Sequence, residues 1–368
     1  MASDLIVPVV EIHNVRPHAN ADSLELCDVL GYQACIPKGV YHDGDKMVYF
    51  PADTLIPAVW ADKWNVRNYL KGKDKDRVGR VRLRGEPSFG LLMSLPGETG
   101  THYELGDNMA DYYGCKKYEP PIRVSCGDAA VYDPEIDPLF EKFTDVQNGR
   151  MFPDVFKPGE EVIYTEKIHG TNCRVGLVLG TWVAGSMEVR RKRPVMVIGE
   201  GPEGQFVNAE WGDSVMKTNT YWFPYTLDGV RHLVDGFLNG RGTVILYGEI
   251  YGGSIQSLNY GIQKGKGLGF RAFGLKVEGK FLDWDAFFTV CSQYGVETVP
   301  VLARGGFTME RAKELADGKS QLADHMREGV VVYPVNERTD PRIGRVVLKF
   351  VGTEYALSKH QDMDTKDV

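Results

Sequence analysis

Apolar residues along this chain come in short runs closed by turn formers, and few stretches carry the spacing of a long helix. In the first 115 residues, Ile6 to Ile12 is apolar, Leu24 to Tyr32 is mixed, and Lys46 to Phe50 ends at Pro51. Gly39, Gly44 and Gly90 mark turns between such runs. Several short strands at this spacing predict a small β-barrel. Arg80, Arg82 and Arg84 alternate with Val81 and Leu83, so one strand there would set three guanidiniums on one face. From 116 to 155 the period is broken by Pro120, Pro121, Pro134, Pro138 and Pro153, which predicts a linker or strap. From 156 to 368 the runs lengthen into a second domain. Val162-Ile163-Tyr164, a run from Val175, Thr243 to Ile250, Phe270 to Val277, Gly329 to Tyr333 and Arg345 to Val351 read as strands. Ala286 to Tyr294 and Met309 to Ala316 read as helices. Strands and helices do not alternate regularly, so the pattern predicts an α+β fold rather than a doubly wound sheet. The charged tail from Lys359 to Val368 is expected to fray.

Composition narrows the class. The 368 residues suffice for two domains, and 43% hydrophobic with 25% charged content is that of an ordinary globular protein. The apolar runs fall far short of the roughly 18 residues of a membrane span. The start, Met1-Ala2-Ser3-Asp4-Leu5, lacks a basic region before its apolar stretch, so a signal peptide is not expected; with an acidic pI near 5.7, the expectation is a cytoplasmic monomer. Cys27, Cys35, Cys115, Cys126, Cys173 and Cys291 form no Cys-x-x-Cys pair, which predicts reduced thiols and no zinc site. A net charge of −7 disfavours a general nucleic-acid coat. Basic residues are nonetheless clustered, from Lys63 through Lys71, Lys73, Lys75, Arg77 and Arg80 to Arg84, and again at Arg190-Arg191-Lys192-Arg193.

The candidate chemistry begins at Glu166-Lys167-Ile168-His169-Gly170-Thr171-Asn172, where a predicted strand ends in a turn. That places Lys167 at the lip of a sheet, where its amine could attack the α-phosphate of ATP and split one difficult transfer into two easier ones. Four further segments follow in order. They are Arg190-Arg191-Lys192-Arg193, Tyr247-Gly248-Glu249-Ile250-Tyr251-Gly252, Gly269-Phe270-Arg271-Ala272-Phe273-Gly274, and Arg327-Glu328-Gly329 paired with Val347-Leu348-Lys349-Phe350. Each is common alone; the ordered set over residues 156 to 352 is specific.

This order resembles the covalent nucleotidyltransferases, the superfamily of polynucleotide ligases and RNA capping enzymes. The histidine two residues after the lysine, and Gly261-Ile262-Gln263-Lys264, are most similar to the RNA ligase 2 group. Arg16-Pro17-His18-Ala19-Asn20-Ala21-Asp22 is similar to the opening of OB-type tRNA-binding domains, and Arg82 to Leu92 resembles the RNA ligase 5 family. That family carries an OB domain ahead of the nucleotidyltransferase domain.

The resemblance implies an ATP-dependent RNA ligase with an N-terminal OB barrel and a nucleotidyltransferase domain of antiparallel sheets and helices. Lys167 would carry AMP, pass it to an RNA 5′-phosphate, and a 3′-hydroxyl would displace it, repairing a nick or break. Glu166 would accept from the adenine amino group, His169 and Asn172 would contact ribose or the junction phosphate, and Phe273 would stack on the base. Glu249 and Glu328 would hold Mg²⁺ or Mn²⁺. Lys349 would neutralise the α-phosphate. Bland readings stand beside these, above all for Phe273, since a strand phenylalanine is most often core. Two departures matter. The family pattern Lys-x-Lys has one lysine here, with Val347 or Val351 as its partner, and Arg345 is a candidate substitute. The basic motif falls by spacing at Ser186-Met187, and Arg190 is the nearest available arginine. The rival readings are a DNA ligase or capping guanylyltransferase, and a noncatalytic OB-type RNA-binding protein with a decayed nucleotidyltransferase domain.

Overall fold

The computed structural model describes residues 5–97, 102–118, 137–192, 220–237, 239 and 242–358. Cys126, Arg193, the prolines Pro120, Pro121 and Pro134, and the tail from Lys359 lie outside them. The chain divides into two compact units: Met1–Pro121 with Arg150–Phe152 and Thr353–Val368, and Ile122–Gly149 with Pro153–Gly352.

The first unit is built from short antiparallel strands. They are β1 (Val9–Glu11), β2 (His13–Pro17), β3 (Leu24–Val29), β4 (Tyr32–Pro37), β5 (Lys46–Phe50), β6 (Thr54–Leu55), β7 (Arg80–Leu83), β8 (Glu86–Phe89), β9 (Leu91–Ser94) and β10 (Lys116–Lys117). β5 lies between β1 and β9 and is buried on both faces. Val48 and Phe50 enter one apolar cluster with Ile56 and Tyr113; Met47 and Tyr49 enter the other with Ile12 and Ile36. This is why its sequence is continuously apolar rather than alternating. Helices α1 (Ala58–Lys63) and α2 (Ala110–Tyr113) pack the first cluster, with Trp60 edge-on to Tyr113 at 5.0 Å.

Two expectations for this region change. The stretch from Leu24 to Tyr32 is two strands, because Leu30 (φ 49°) and Gly31 (φ 75°) form a tight turn. Arg84 is likewise not on the arginine face: β7 stops at Leu83, and Arg84 (φ 51°) and Gly85 (φ 89°) make the hairpin turn to β8. Two successive positive φ values match the twist of the flanking strands. That leaves Arg80 and Arg82 on one face.

The second unit holds two sheets. One orders its strands β11 (Gln147–Asn148), β23 (Leu348–Val351), β20 (Gly329–Pro334), β12 (Glu161–Lys167) and β19 (Val301–Gly306). The other runs β15 (Arg190–Arg191), β14 (Thr181–Ser186), β13 (Thr171–Val178), β16 (Thr243–Tyr251), β17 (Gly269–Val277) and β18 (Lys280–Phe281). All neighbours are antiparallel except β11 and β23. Helices α3 (Asp228–Gly236), α4 (Trp284–Tyr294) and α5 (Met309–Ala316) accompany them, and α6 (Thr353–Ser358) belongs with the first unit. The fold is α+β, an OB-type unit followed by a two-sheet unit. The core draws Ile163 and Tyr333 from the first sheet and Tyr247 and Phe273 from the second, with Val347 just ahead of β23.

Within the expected strap, Phe140 and Phe143 are each 3% exposed and belong to this core. Arg150, also 3% exposed, belongs to the first unit, where it donates to the Gly31 carbonyl at 2.6 Å and lies over the Tyr32 ring. Isolated anchors in irregular chain leave no period to read. The run from Arg345 to Val351 is also divided, into the short β22 (Gly344–Arg345), paired with β21 (Thr339–Asp340), and β23.

Candidate active site

Lys167 is the last residue of β12, where that strand pairs through Gly329 to β20. Its Nζ lies 2.9 Å from Glu328 Oε2, and His169 Nδ1 is 3.4 Å from the same oxygen. The turn that follows is closed by glycine for a steric reason: a Cβ on Gly170 would sit 2.2 Å from the Ile250 carbonyl oxygen. The Gly170 amide instead donates to Glu249 Oε1 at 3.1 Å. β13 then returns along β16, pairing Asn172 with Glu249. A turn of a few residues thus brings carboxylates from β16 and the start of β20 to one lysine.

The two carboxylates are driven apart electrostatically. Burial pushes Glu249 up to about 8, against the pull of the Lys167 charge and with the repulsion of Glu328. Burial also acts to raise Glu328, but the charge of Lys167 and hydrogen bonds from His169 and Lys167 overcome it and hold the group at about 2. One member is an anion and its neighbour a proton carrier near neutrality, the division expected where ionisable groups do chemistry.

Register places the remaining expected residues. In the first sheet Thr165, Val331 and Lys349 form one row, and Lys167, Gly329 and Val351 the next along the same face. Lys349 therefore shares a face with Lys167, and of the two candidate partner positions Val351 lies on that face while Val347 precedes the strand. Arg345 does not fill the gap: Glu337 pairs with it, and its guanidinium stacks 3.7 Å from the Phe281 ring. In the second sheet Arg190, Gly185, Arg174 and Tyr247 form a row two residues from Asn172 and Glu249, on their face. Arg190 Nη1 is 3.8 Å from Asp137 Oδ2, while Arg191 turns to the opposite face, over the Tyr221 ring. Phe273 is 9% exposed and meets Phe143 edge-on at 4.7 Å, so it is a core residue of that sheet.

Glu166 is the residue the structure does not bring to the cleft. Neighbours along a strand face opposite ways, so Lys167 pointing in turns Glu166 out. Glu166 is 1% exposed, and its carboxylate is taken by the Ser320 hydroxyl and by the Gln321 amide at 2.7 Å. The expected contact with an adenine amino group is therefore not made available by this side chain. Sequence reading also missed Tyr260, whose hydroxyl accepts from the His169 amide at 2.6 Å, and Ser257, 3.3 Å from His169 Nε2. Tyr260 adjoins the noted Gly261-Ile262-Gln263-Lys264 segment, but nothing local ties it to a residue 91 positions away.

The site has a polar atom left to satisfy. Asn172 Oδ1, in register with Glu249, is buried with no hydrogen-bond partner, the condition in which a bound polar molecule is favoured. Among the described residues no cluster of three or more His, Cys, Asp or Glu is arranged to hold a metal. Two carboxylates still suit a hard cation that takes phosphate oxygens and water. No helix among the described residues is long and apolar enough to cross a membrane.

A family model described as RNA ligase matches residues 160–351, and one described as an OB-fold domain matches residues 6–95. No curated protein matches the chain. Among solved structures, a point variant of Naegleria gruberi RNA ligase without ligand is 23% identical, with a TM-score of 0.71 over 98% of this chain and 99% of that one. A variant of the same enzyme with AMP and Mn gives 22% identity and a TM-score of 0.71 over 96% and 98%. The same enzyme with PPi gives 23% and 0.70 over 96% and 98%. Likeness at this identity establishes the fold.

Proposed function

Because the chain belongs to the RNA ligase family, we propose that it is an ATP-dependent ligase that seals RNA 5′-phosphate to 3′-hydroxyl ends through a lysyl-AMP intermediate. The neutral amine of Lys167 attacks the α-phosphorus of ATP; a P–N bond forms, pyrophosphate leaves, and the amine proton passes to solvent or a carboxylate. An oxygen of the RNA 5′-phosphate then attacks the same phosphorus, forming an anhydride and freeing the lysine. Finally the 3′-hydroxyl attacks the RNA phosphate, loses its proton, and AMP leaves.

In this reading Lys349 and Arg190 offset phosphate charge. His169 touches the ribose or the junction phosphate, and Asn172, with its unpartnered Oδ1, accepts from a ribose hydroxyl. Glu249 and Glu328 would hold Mg²⁺ or Mn²⁺, which supplies charge neutralisation on the transferring phosphate. The OB unit would bind the RNA, with Arg80 and Arg82 on its phosphates, and 2′-hydroxyls would separate RNA from DNA.

The observation that carries this reading is the placement of Lys167 at a strand end, 2.9 Å from Glu328 and on the face of Lys349. Intact mass after incubation with ATP and Mg²⁺ or Mn²⁺ tests it. A gain of one AMP is expected with ATP, none with GTP, and none in Lys167→Ala. AMP retained on Lys167→Ala would remove the nucleophile.

A further inference from the structure

We infer that the turn from Gly318 to Met326 is a clamp that positions Lys167 from both sides, with Ser320 and His325 as its two contact points. The inference rests on the lysyl-AMP reading above and adds to it residues that do not touch the substrate. A lysine at the end of a strand sits where a sheet ordinarily frays, yet nucleophilic attack demands near-attack geometry.

On the N-terminal side, Glu166 is a buried carboxylate immediately before the lysine. A buried charge is costly unless hydrogen-bonded, and both of its oxygens are met by this one turn. Ser320 Oγ bonds Oε1, and the Gln321 amide donates to Oε2 at 2.7 Å. Ser320 Oγ also accepts from the Leu322 amide at 3.0 Å, so its hydroxyl hydrogen is free to point at the carboxylate. On the C-terminal side, the His325 ring meets Tyr260 at 4.7 Å and 75°, and the Tyr260 hydroxyl holds the His169 amide at 2.6 Å.

The turn is itself braced. Ser320 N donates to the His325 carbonyl at 2.8 Å, Arg327 N to Gly318 at 2.9 Å, and Arg327 Nη2 to Lys319 at 2.7 Å. Residues on either side of the nucleophile are thereby tied to a single braced segment, the Ser320 bond joining positions 154 residues apart.

The test compares two reactions of the full-length protein: attachment of AMP to Lys167 from saturating ATP, and sealing of RNA supplied with AMP already on its 5′-phosphate. Only the first uses the lysine as nucleophile. Ser320→Ala is expected to slow attachment by about tenfold or more, a magnitude typical of lost positioning. The ATP concentration for half-maximal rate and the sealing reaction should stay within about twofold of the parent. Ser320→Thr, which keeps the hydroxyl, should restore attachment, and His325→Ala should show the same split. Parallel loss of both reactions marks Ser320 as a general structural residue and overturns the clamp, as does loss of neither. A parent protein that takes no AMP on Lys167 defeats the lysyl-AMP reading itself, a result distinct from either.

Discussion

A buried carboxylate costs the fold stability wherever it must take up charge, and in this cleft burial acts on Glu249 strongly enough to raise it despite the nearby Lys167 charge. Its folded-state value of about 8 lies above the ordinary 4.5. Below pH 4.5 the group is protonated in both states and contributes no difference. As pH rises from there to about 8 the unfolded chain ionises it while the folded protein keeps the proton, so stability falls through that window. Glu249→Gln removes the titration and keeps an acceptor for the Gly170 amide. Its melting temperature, measured in EDTA, is expected to exceed the parent's by on the order of 5 °C at pH 8 and to match it near pH 5. A gap of the same size at both pH values would show that burial of the charge is not the cause. The variant should lose metal-dependent AMP attachment over the whole range.

Residue scale is also where sequence reading was most and least effective. Lys167, His169, Glu249 and Glu328 come from glycine-flanked segments in a fixed order, which is why they could be named together from sequence, and the structure brings them to one place. The position of Glu166 could have been read from alternation, since two consecutive strand residues do not face one ligand. Its hydrogen bond to Ser320 could not, because nothing in Gly318-Lys319-Ser320-Gln321 marks a partner so distant. Phe140 and Phe143 were hidden for a different reason: they anchor irregular chain, which has no period against which a buried position stands out.

At the scale of elements, the turn from β12 to β13 does most to assemble the site. The two strands belong to different sheets, so the turn between them must cross the core edge within three residues, Ile168 to Gly170. That crossing is what brings the backbone within contact of Ile250, and it explains the glycine. A methyl group at Gly170 would lie 2.2 Å from Ile250 O and 2.9 Å from Glu249 Cγ, so either β16 or the turn must shift. Gly170→Ala is expected to cost roughly 1–3 kcal/mol, the usual range for overpacking. It should also lower AMP attachment more than tenfold, because the displaced atoms belong to Glu249 and the lysine turn; about tenfold is one 1.4 kcal/mol step. Urea unfolding and the mass assay read the two effects separately. Unchanged attachment in a destabilised variant would mean that the turn does not set the lysine.

At the scale of the whole molecule, both units are discontinuous in sequence. Arg150–Phe152 and α6 lie in the OB-type unit, although the first is flanked on both sides by the ligase unit and the second follows it directly. The ligase unit in turn begins before Arg150, because Phe140 and Phe143 fill its core and β11 completes its sheet beside Lys349. A cut at residue 156, where the change of composition suggests a boundary, therefore removes core residues, and that fragment should melt without cooperativity. A fragment of residues 137–352 retains them and is expected to melt cooperatively and still accept AMP on Lys167. If the OB-type unit serves to grip RNA, the same fragment should lose more than about tenfold in sealing RNA that already carries AMP, a larger loss than in attachment. Thermal denaturation followed by circular dichroism, with both reactions run on each fragment, separates the possibilities. Equal loss of attachment and sealing from a well-folded 137–352 fragment would place part of the lysine chemistry in the OB-type unit.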